Sequence, residues 1–419
     1  MHAEQSLQLM RGPLGGRTRE IVLISTTPRV SMPTRRLASA LLALVTACSD
    51  GAGPDPDTDS FRRVSVGDSR VCALLESGVG YCWGKAFDDP VRSDSVATRY
   101  GGDLVFSQLS SAQGIFGDYV CGLSTTGVTL CQGVLLVGYD FGYFISPTLA
   151  PLAHQVPVDT LATGTSHFCG LTSAGAAWCW GDFNAGMRGS GRPEGATWSL
   201  EPNRVANGLA FTSIGAGVSH TCGSTAEGTV FCWGTGLRLG APSAELDTSS
   251  VNCGLTTQGG APCAHAPVRT ELSVPARALF VGPSSTCAVA SGGELWCWGH
   301  LFGEGTETMA PRKVDAPAEV ASVALGSEHG CILTTAGQAY CLGVNTVGQL
   351  GTGTTGAFQH VPVPVAGDLR FTDLSASSYT TCGLTAGGGL YCWGGNELGQ
   401  LGTGDRTPRA APVRVRLPG

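Results

Sequence analysis

The chain is 419 residues long, with 62 glycines, 14% charged residues and a formal net charge of −7. A protein that grips the nucleic-acid backbone is expected to carry a basic stripe, so this balance argues against that class. The glycine content and the lack of any useful helix-period stretch point to an all-β chain rich in turns.

Residues 1–31 carry Glu4 and Glu20 and no apolar run adjoining the later one, and they read as an N-terminal extension ahead of a true start at Met32. Residues 32–47 then set Arg35 and Arg36 before a short apolar run ending Val45-Thr46-Ala47-Cys48. Such a run is too short for a mature membrane-spanning helix and has the layout of an export signal. Val45 to Cys48 resembles the bacterial lipobox, which implies lipidation of Cys48, and Ser49 after it favours the outer membrane. Ordinary signal cleavage beside an unpaired cysteine is the alternative. Residues 48–60 are small, acidic and Pro/Gly-containing, a flexible tether. Residues 1–47 hold six arginines and two glutamates, so the chain from Cys48 has 19 basic and 30 acidic residues and a net charge of −11.

The remaining 16 cysteines form eight pairs with nine residues between members: Cys72/Cys82, Cys121/Cys131, Cys169/Cys179, Cys222/Cys232, Cys253/Cys263, Cys287/Cys297, Cys331/Cys341 and Cys382/Cys392. A glycine stands six residues after each first cysteine, from Gly78 to Gly388. A three-residue hairpin loop commonly ends in a residue of positive φ, which glycine adopts freely. With Ala386-Gly387-Gly388 as the loop, Thr385 faces Gly389 and Cys382 faces Cys392. Directly opposed Cα atoms lie about 4.5–5.5 Å apart, within disulfide reach. The spacing therefore predicts a β-hairpin stapled across its strands, and a full set of disulfides needs an oxidising compartment. Free structural cysteines are the competing reading. Metal binding fits less well, because zinc sites favour close pairs such as C-x2-C with histidine partners.

Seven segments repeat an apolar strand, a glycine, a polar residue, cysteine, the hairpin glycine, an aromatic and Cys-Trp-Gly. They are 61–84, 106–133, 158–181, 211–234, 278–299, 320–343 and 371–394. Trp83, Trp180, Trp233, Trp298 and Trp393 close five of them; Cys-Gln-Gly133 and Cys-Leu-Gly343 close the second and sixth. The last two continue into Asn345-Thr-Val-Gly-Gln-Leu-Gly-Thr-Gly353 and Asn396-Glu-Leu-Gly-Gln-Leu-Gly-Thr-Gly404, then a Pro-Val strand. This run resembles the regulator-of-chromosome-condensation repeat over 61–419, strongly in the sixth and seventh copies and loosely in the second and fifth. The resemblance implies a seven-bladed β-propeller with four-stranded blades, and a period near 50 suits a propeller independently. No Pro-Val strand precedes Phe61, whereas Pro412 to Leu417 ends the chain. The C-terminal strands are therefore expected to complete the first blade and close the ring.

Cys253/Cys263 falls outside the seven copies and reads as a hairpin inserted at about 240–275, with a degenerate eighth blade as the alternative. In the family such a hairpin can reach a partner protein, and loops carry function disproportionately. His167, His220 and His329 stand two residues before a first cysteine, and each is expected to bond within its own blade rather than serve as a ligand. The tryptophans read as packing between blades rather than as an aromatic binding strip. The Gly-Gln-Leu-Gly-Thr-Gly runs lack a following helix and a P-loop lysine and read as turns. No nucleophile elbow or paired carboxylates recur. The expectation is a monomeric, non-enzymatic, lipid-anchored exported propeller that binds an unknown protein partner, with no cofactor, no metal and no nucleic acid. The resemblance also implies two alternatives, a guanine-nucleotide exchange factor for a small GTPase and an inhibitor of a secreted enzyme.

Overall fold

The computed structural model describes residues 8–12, 19–23 and 60–417, except 87–92, 115–116, 137–142, 153–154, 183–185, 190–197, 206–207, 236–262 and 304–306. Strands β1 (Gln8–Gly12) and β2 (Arg19–Leu23) pair only with each other. Everything else is a ring of seven antiparallel sheets, each a four-stranded meander from one continuous segment.

Blade I holds β3 (Phe61–Val66), β4 (Arg70–Leu75), β5 (Gly80–Lys85) and β6 (Ser93–Tyr100). Blade II holds β7 (Phe106–Gly114), β8 (Gly117–Ser124), β9 (Thr129–Leu136) and β10 (Tyr143–Pro151). Blade III holds β11 (Thr160–Thr163), β12 (His167–Leu171), β13 (Ala177–Asp182) and β14 (Trp198–Arg204). Blade IV holds β15 (Phe211–Ala216), β16 (His220–Thr225), β17 (Val230–Thr235) and β18 (Cys263–Arg269). Blade V holds β19 (Ala276–Val281), β20 (Ser285–Ala290), β21 (Leu295–His300) and β22 (Glu307–Val314). Blade VI holds β23 (Val320–Leu325), β24 (His329–Thr334), β25 (Ala339–Asn345) and β26 (Gly356–Pro364). Blade VII holds β27 (Phe371–Ser377), β28 (Thr380–Thr385), β29 (Leu390–Gly394) and β30 (Arg409–Arg414).

The first strand of each blade touches the next, and β27 and β28 return to β3. Second strands are buried along their whole length, as in β4, β16 and β24, because both faces meet a neighbouring blade. The apolar core is divided accordingly into one cluster per seam. In each, the cysteines of one blade pack with residues of the next: Trp233 with Cys169 and Cys179, Trp393 with Cys331 and Cys341.

The hairpins explain the spacing. Cys382 faces Cys392, the Gly388 N–H donates to the Thr385 carbonyl, and Thr385 N–H donates to Gly389. Gly388 has φ +73°, the left-handed residue that ends a three-residue loop. The Cα atoms of each described cysteine pair are 4.0–4.1 Å apart, nearer than the expected 4.5–5.5 Å and on the side of the closer, non-hydrogen-bonded type of pair. The glycine of Cys-Trp-Gly has a different task. At Gly394, φ is +97° and an added Cβ would overlap the Tyr379 carbonyl oxygen, so the third strand can bulge only with glycine there.

Closure differs from the sequence expectation. β30 pairs with β29 in its own blade, and blade I supplies its own fourth strand, β6. Among the described residues no C-terminal strand completes the first blade. The ring closes by side-to-side packing: Val415 and Leu417 join Phe61, Val66 and Trp83 in one cluster. The Gly404 N–H donates to the Ser95 carbonyl at 2.8 Å and the Val66 N–H to Ser375 Oγ at 3.0 Å. A meander already satisfies its inner backbone groups, so a swapped strand has nothing to add.

Outer edges are guarded by proline. Pro202, Pro267, Pro311, Pro362 and Pro412 each immediately precede the residue opposite the blade's second cysteine, where a missing N–H blunts a free edge. Blades I and II have Ala97 and Leu149 there instead.

Candidate binding face and blade seams

A meander places its turns alternately on two faces of the ring. One face carries the stapled hairpin turns, uniform in length, and the short connections between blades. The other carries the first-to-second-strand turns and the third-to-fourth-strand loops, which range from 6 to 27 residues. The large length variation thus lies on one face, the connections between blades on the other spanning only 5 to 8 residues.

On that face the inner strands converge on a central cavity of 240 Å³, to which all seven blades contribute. Its walls are uncharged and rich in hydroxyls, including Thr163, Thr165, Ser284, Ser327 and Ser377. Several such groups are spent on joining blades: Ser110 Oγ lies 2.6 Å from Thr163 Oγ1, and Ser65 Oγ accepts from the Ser111 N–H at 2.9 Å. The rim is asymmetric. Blades VI, VII, I and II present Glu328, Tyr379, Asp68 and Asp118; the corresponding turns of blades III–V present Thr165, Val218 and Pro283. Glu328 bonds the Tyr379 hydroxyl and holds its ionisation above the usual tyrosine range. Burial, reinforced by Asp68, pushes Asp118 up to about 6 against the opposing pull of Lys85 and Arg70. Ser69 of blade I donates to Asp118 of blade II.

The three histidines bond across seams, not within their own blades as the sequence reading expected. His167, His220 and His329 set Nε2 at 2.7, 3.0 and 2.8 Å from Thr221, Thr286 and Thr381 Oγ1 of the following blade. At the III/IV seam the Met187 carbonyl accepts from both Thr221 Oγ1 (3.1 Å) and Trp233 Nε1 (2.8 Å). A carbonyl only accepts, and threonine has one hydroxyl proton, so His167 Nε2 carries the proton it donates. The VI/VII seam repeats this with His329, Thr381, Trp393 and the Gln349 carbonyl. Gln349 and Met187 lie in third-to-fourth-strand loops, which therefore reach forward over the next blade's tryptophan; Gln400 does the same for Trp83. Burial, with Arg188 nearby, lowers His167 to about 3, and burial lowers His329 to about 4, so both rings are neutral at pH 7.

Of the predicted site residues, the structure joins Cys72–Cys82, Cys121–Cys131, Cys169–Cys179, Cys222–Cys232, Cys287–Cys297, Cys331–Cys341 and Cys382–Cys392 as disulfides. Cys48 and Cys253 lie outside the described residues. Cys263 opens β18 opposite Thr235, so the propeller resumes at Cys263, and the insertion ends by 262 rather than 275. Blade IV is followed directly by β19, with no eighth four-stranded sheet among the described residues. Asp118, Glu328 and Tyr379 each stand three residues before a first cysteine and Asp68 stands four before, but the residue type changes from copy to copy, so the sequence did not single them out. Only the ring brings them together.

A family model described as Regulator of chromosome condensation (RCC1) repeat matches 211–237, 320–349 and 371–400, and a second of the same description matches 336–384 and 387–419. The Ultraviolet-B receptor UVR8 of Arabidopsis thaliana is 26% identical over 286 residues, 65% of this chain and 61% of that protein. The mitochondrial RCC1 domain-containing protein RUG3 of the same plant is 27% identical over 263 residues, 59% of this chain and 56% of that one. The chain thus spans under two thirds of these relatives. Among solved structures, human WBSCR16 superposes with a TM-score of 0.65 at 19% identity, covering 78% of this chain and 86% of its own. Prp20p of Saccharomyces cerevisiae gives 0.62 at 18%, covering 76% and 80%. The regulator of chromosome condensation repeat is thus matched in blades IV, VI and VII, and the seven sheets together form a seven-bladed β-propeller.

Proposed function

We propose that this chain is a non-enzymatic protein-interaction module, exported and held at the cell envelope by a lipid on Cys48. An RCC1-repeat propeller fits a protein-interaction role. The observation that carries the compartment is the disulfide set: seven buried bridges, one per blade, are at home where thiols are not kept reduced. The export-type segment at 32–47 agrees with it. The binding surface of this reading is the face with variable loops, where Val218 and Tyr379 stand exposed at the cavity rim.

Intact-mass measurement of the native protein tests the compartment. Lipid on Cys48 and oxidised pairs are expected; free thiols without lipid would overturn export and favour a cytoplasmic regulator of the exchange-factor kind. Photo-crosslinkers test the face. Placed at Val218 or Tyr379 they are expected to capture the partner, whereas at Glu76 or Glu227, on the hairpin face, they are not. The reverse pattern would refute the assignment of the face.

A further inference from the structure

We propose that the central cavity of the variable-loop face is a carbohydrate site that takes one uncharged sugar unit at the end of a glycan. This rests on the reading of that face as the binding face, and on nothing about the compartment or the lipid. The first support is unspent hydrogen-bonding capacity. Among the described residues, the hydroxyls of Thr165, Ser284, Ser327 and Ser377 have no partner in the chain, although all four are half-buried and line the cavity. Ser110, Ser111 and Ser375, by contrast, are tied across seams to Thr163 Oγ1, the Arg70 carbonyl and the Val66 N–H. Each free hydroxyl donates one bond and accepts two, which matches a ligand that is itself built of hydroxyls. Val218 and Pro283 stand among them as apolar ground for the C–H face of a sugar ring.

Charge narrows the ligand further. No lysine, arginine, histidine, aspartate or glutamate lines the cavity, so a phosphate, sulfate or carboxylate would enter it without a counter-charge. Such a group would also have to pass Asp68, Asp118 and Glu328 at the rim. A basic side chain would find its counter-charge only at that rim and would leave the four hydroxyls unused. The rim adds an aromatic ring that is both exposed and fixed. Tyr379 is 44% exposed, yet its hydroxyl is bonded to Glu328. Beside it Ser378 has a φ of +41°, a left-handed conformation that few non-glycine residues adopt and that gathers at ligand clamps. At 240 Å³ the cavity is smaller than the roughly 300–1,000 Å³ of sites for drug-sized ligands, so it admits a single sugar unit.

Saturation-transfer NMR on the oxidised full chain tests this. The probes are the methyl glycosides of glucose, galactose, mannose and N-acetylglucosamine, with glucuronate and galacturonate beside them. At least one glycoside is expected to bind with a Kd of about 1–10 mM, and neither uronate is. Ser327→Ala combined with Ser377→Ala is expected to weaken that binding about tenfold. The double variant should melt like the unaltered chain, since neither hydroxyl bonds within it. Binding of none of the glycosides, equal binding of the uronates, or full binding by the double variant would overturn the proposal. If the double variant does not fold, hydrogen exchange of the unaltered chain with saturating sugar decides. The turns after β11, β19 and β23 are expected to slow, and slowing elsewhere alone, or nowhere, would overturn the proposal. Capture of a partner from Val218 or Tyr379 without any sugar binding would leave the face standing and remove only the sugar.

Discussion

Phe302, in the loop after β21 of blade V, packs in one buried cluster with Leu342 of blade VI, the residue that replaces tryptophan in that blade's Cys-Leu-Gly. Its ring also lies where a Cβ on Gly330 would stand. The aromatic bulk that blade VI lacks is supplied by its neighbour's loop, at a φ of +51° that few non-glycine residues adopt. Phe302→Ala is expected to cost about 3–5 kcal/mol. Leu342→Trp alone overpacks the site by roughly 1–3 kcal/mol. Combined, they should be less damaging than their sum, because the tryptophan enters the space the phenyl leaves. A double-mutant cycle in urea measures the coupling, and strict additivity would mean that the two side chains do not share one space.

Two glycines seven residues apart should respond oppositely. Gly387 is open on all sides, and Gly387→Ala should be neutral or add about 0.4–1 kcal/mol by restricting the unfolded chain. At Gly394, a φ of +97° and the Tyr379 carbonyl both oppose a side chain. Gly394→Ala should lose roughly 2–4 kcal/mol. Thermal melts of the two variants would separate the readings; similar melting temperatures would count against the bulge as the reason for Cys-Trp-Gly.

What was legible in the sequence followed from local geometry. Cys382, Gly388 and Cys392 lie in one hairpin, so their spacing alone gave the register and the loop, whereas eight pairs share that spacing and the count of seven blades needed the full repeat. Closure was misread because the missing Pro-Val strand before Phe61 suggested an exchange, whereas Arg409–Arg414 simply ends blade VII. His329 looked local because its partner Thr381 lies 52 positions away. The rim was invisible for a related reason: Glu328, Tyr379, Asp68 and Asp118 belong to four blades, and at a repeat position whose residue type varies nothing marks them as neighbours. Spacing reports what happens inside a blade, and seams and rim exist only once the ring has closed.

Removing one bridge should cost little relative to the ring. Cys331 and Cys341 are ten positions apart and fully buried. Replacing both with alanine should lower stability by about 2–3 kcal/mol on the chain-entropy model. Because every described bridge has the same separation, the loss should be nearly equal from blade to blade. Urea titration of single-bridge variants in two distant blades, such as II and VI, measures this. A far larger loss in one of them would show that its cysteines matter more for seam packing than for restraining the unfolded chain.

Asp373 sets the last expectation. Burial raises it to about 6, although Arg63 and the N–H groups of Leu374 and Val64 pull the other way. An acid whose folded value exceeds its unfolded one stabilises the fold below about 4 and loses that contribution as pH climbs through 6. Asp373→Asn resembles the protonated form at every pH. Relative to the unaltered chain it should therefore fare better at pH 7.5 than at pH 4.5, whatever its absolute effect. Asp118→Asn should change in the same direction, since an amide oxygen can still accept from Ser69. Urea midpoints of both variants at the two pH values decide the point. A relative loss at pH 7.5 would mean that Arg63 and Lys85 compensate these carboxylates more fully than their burial penalises them.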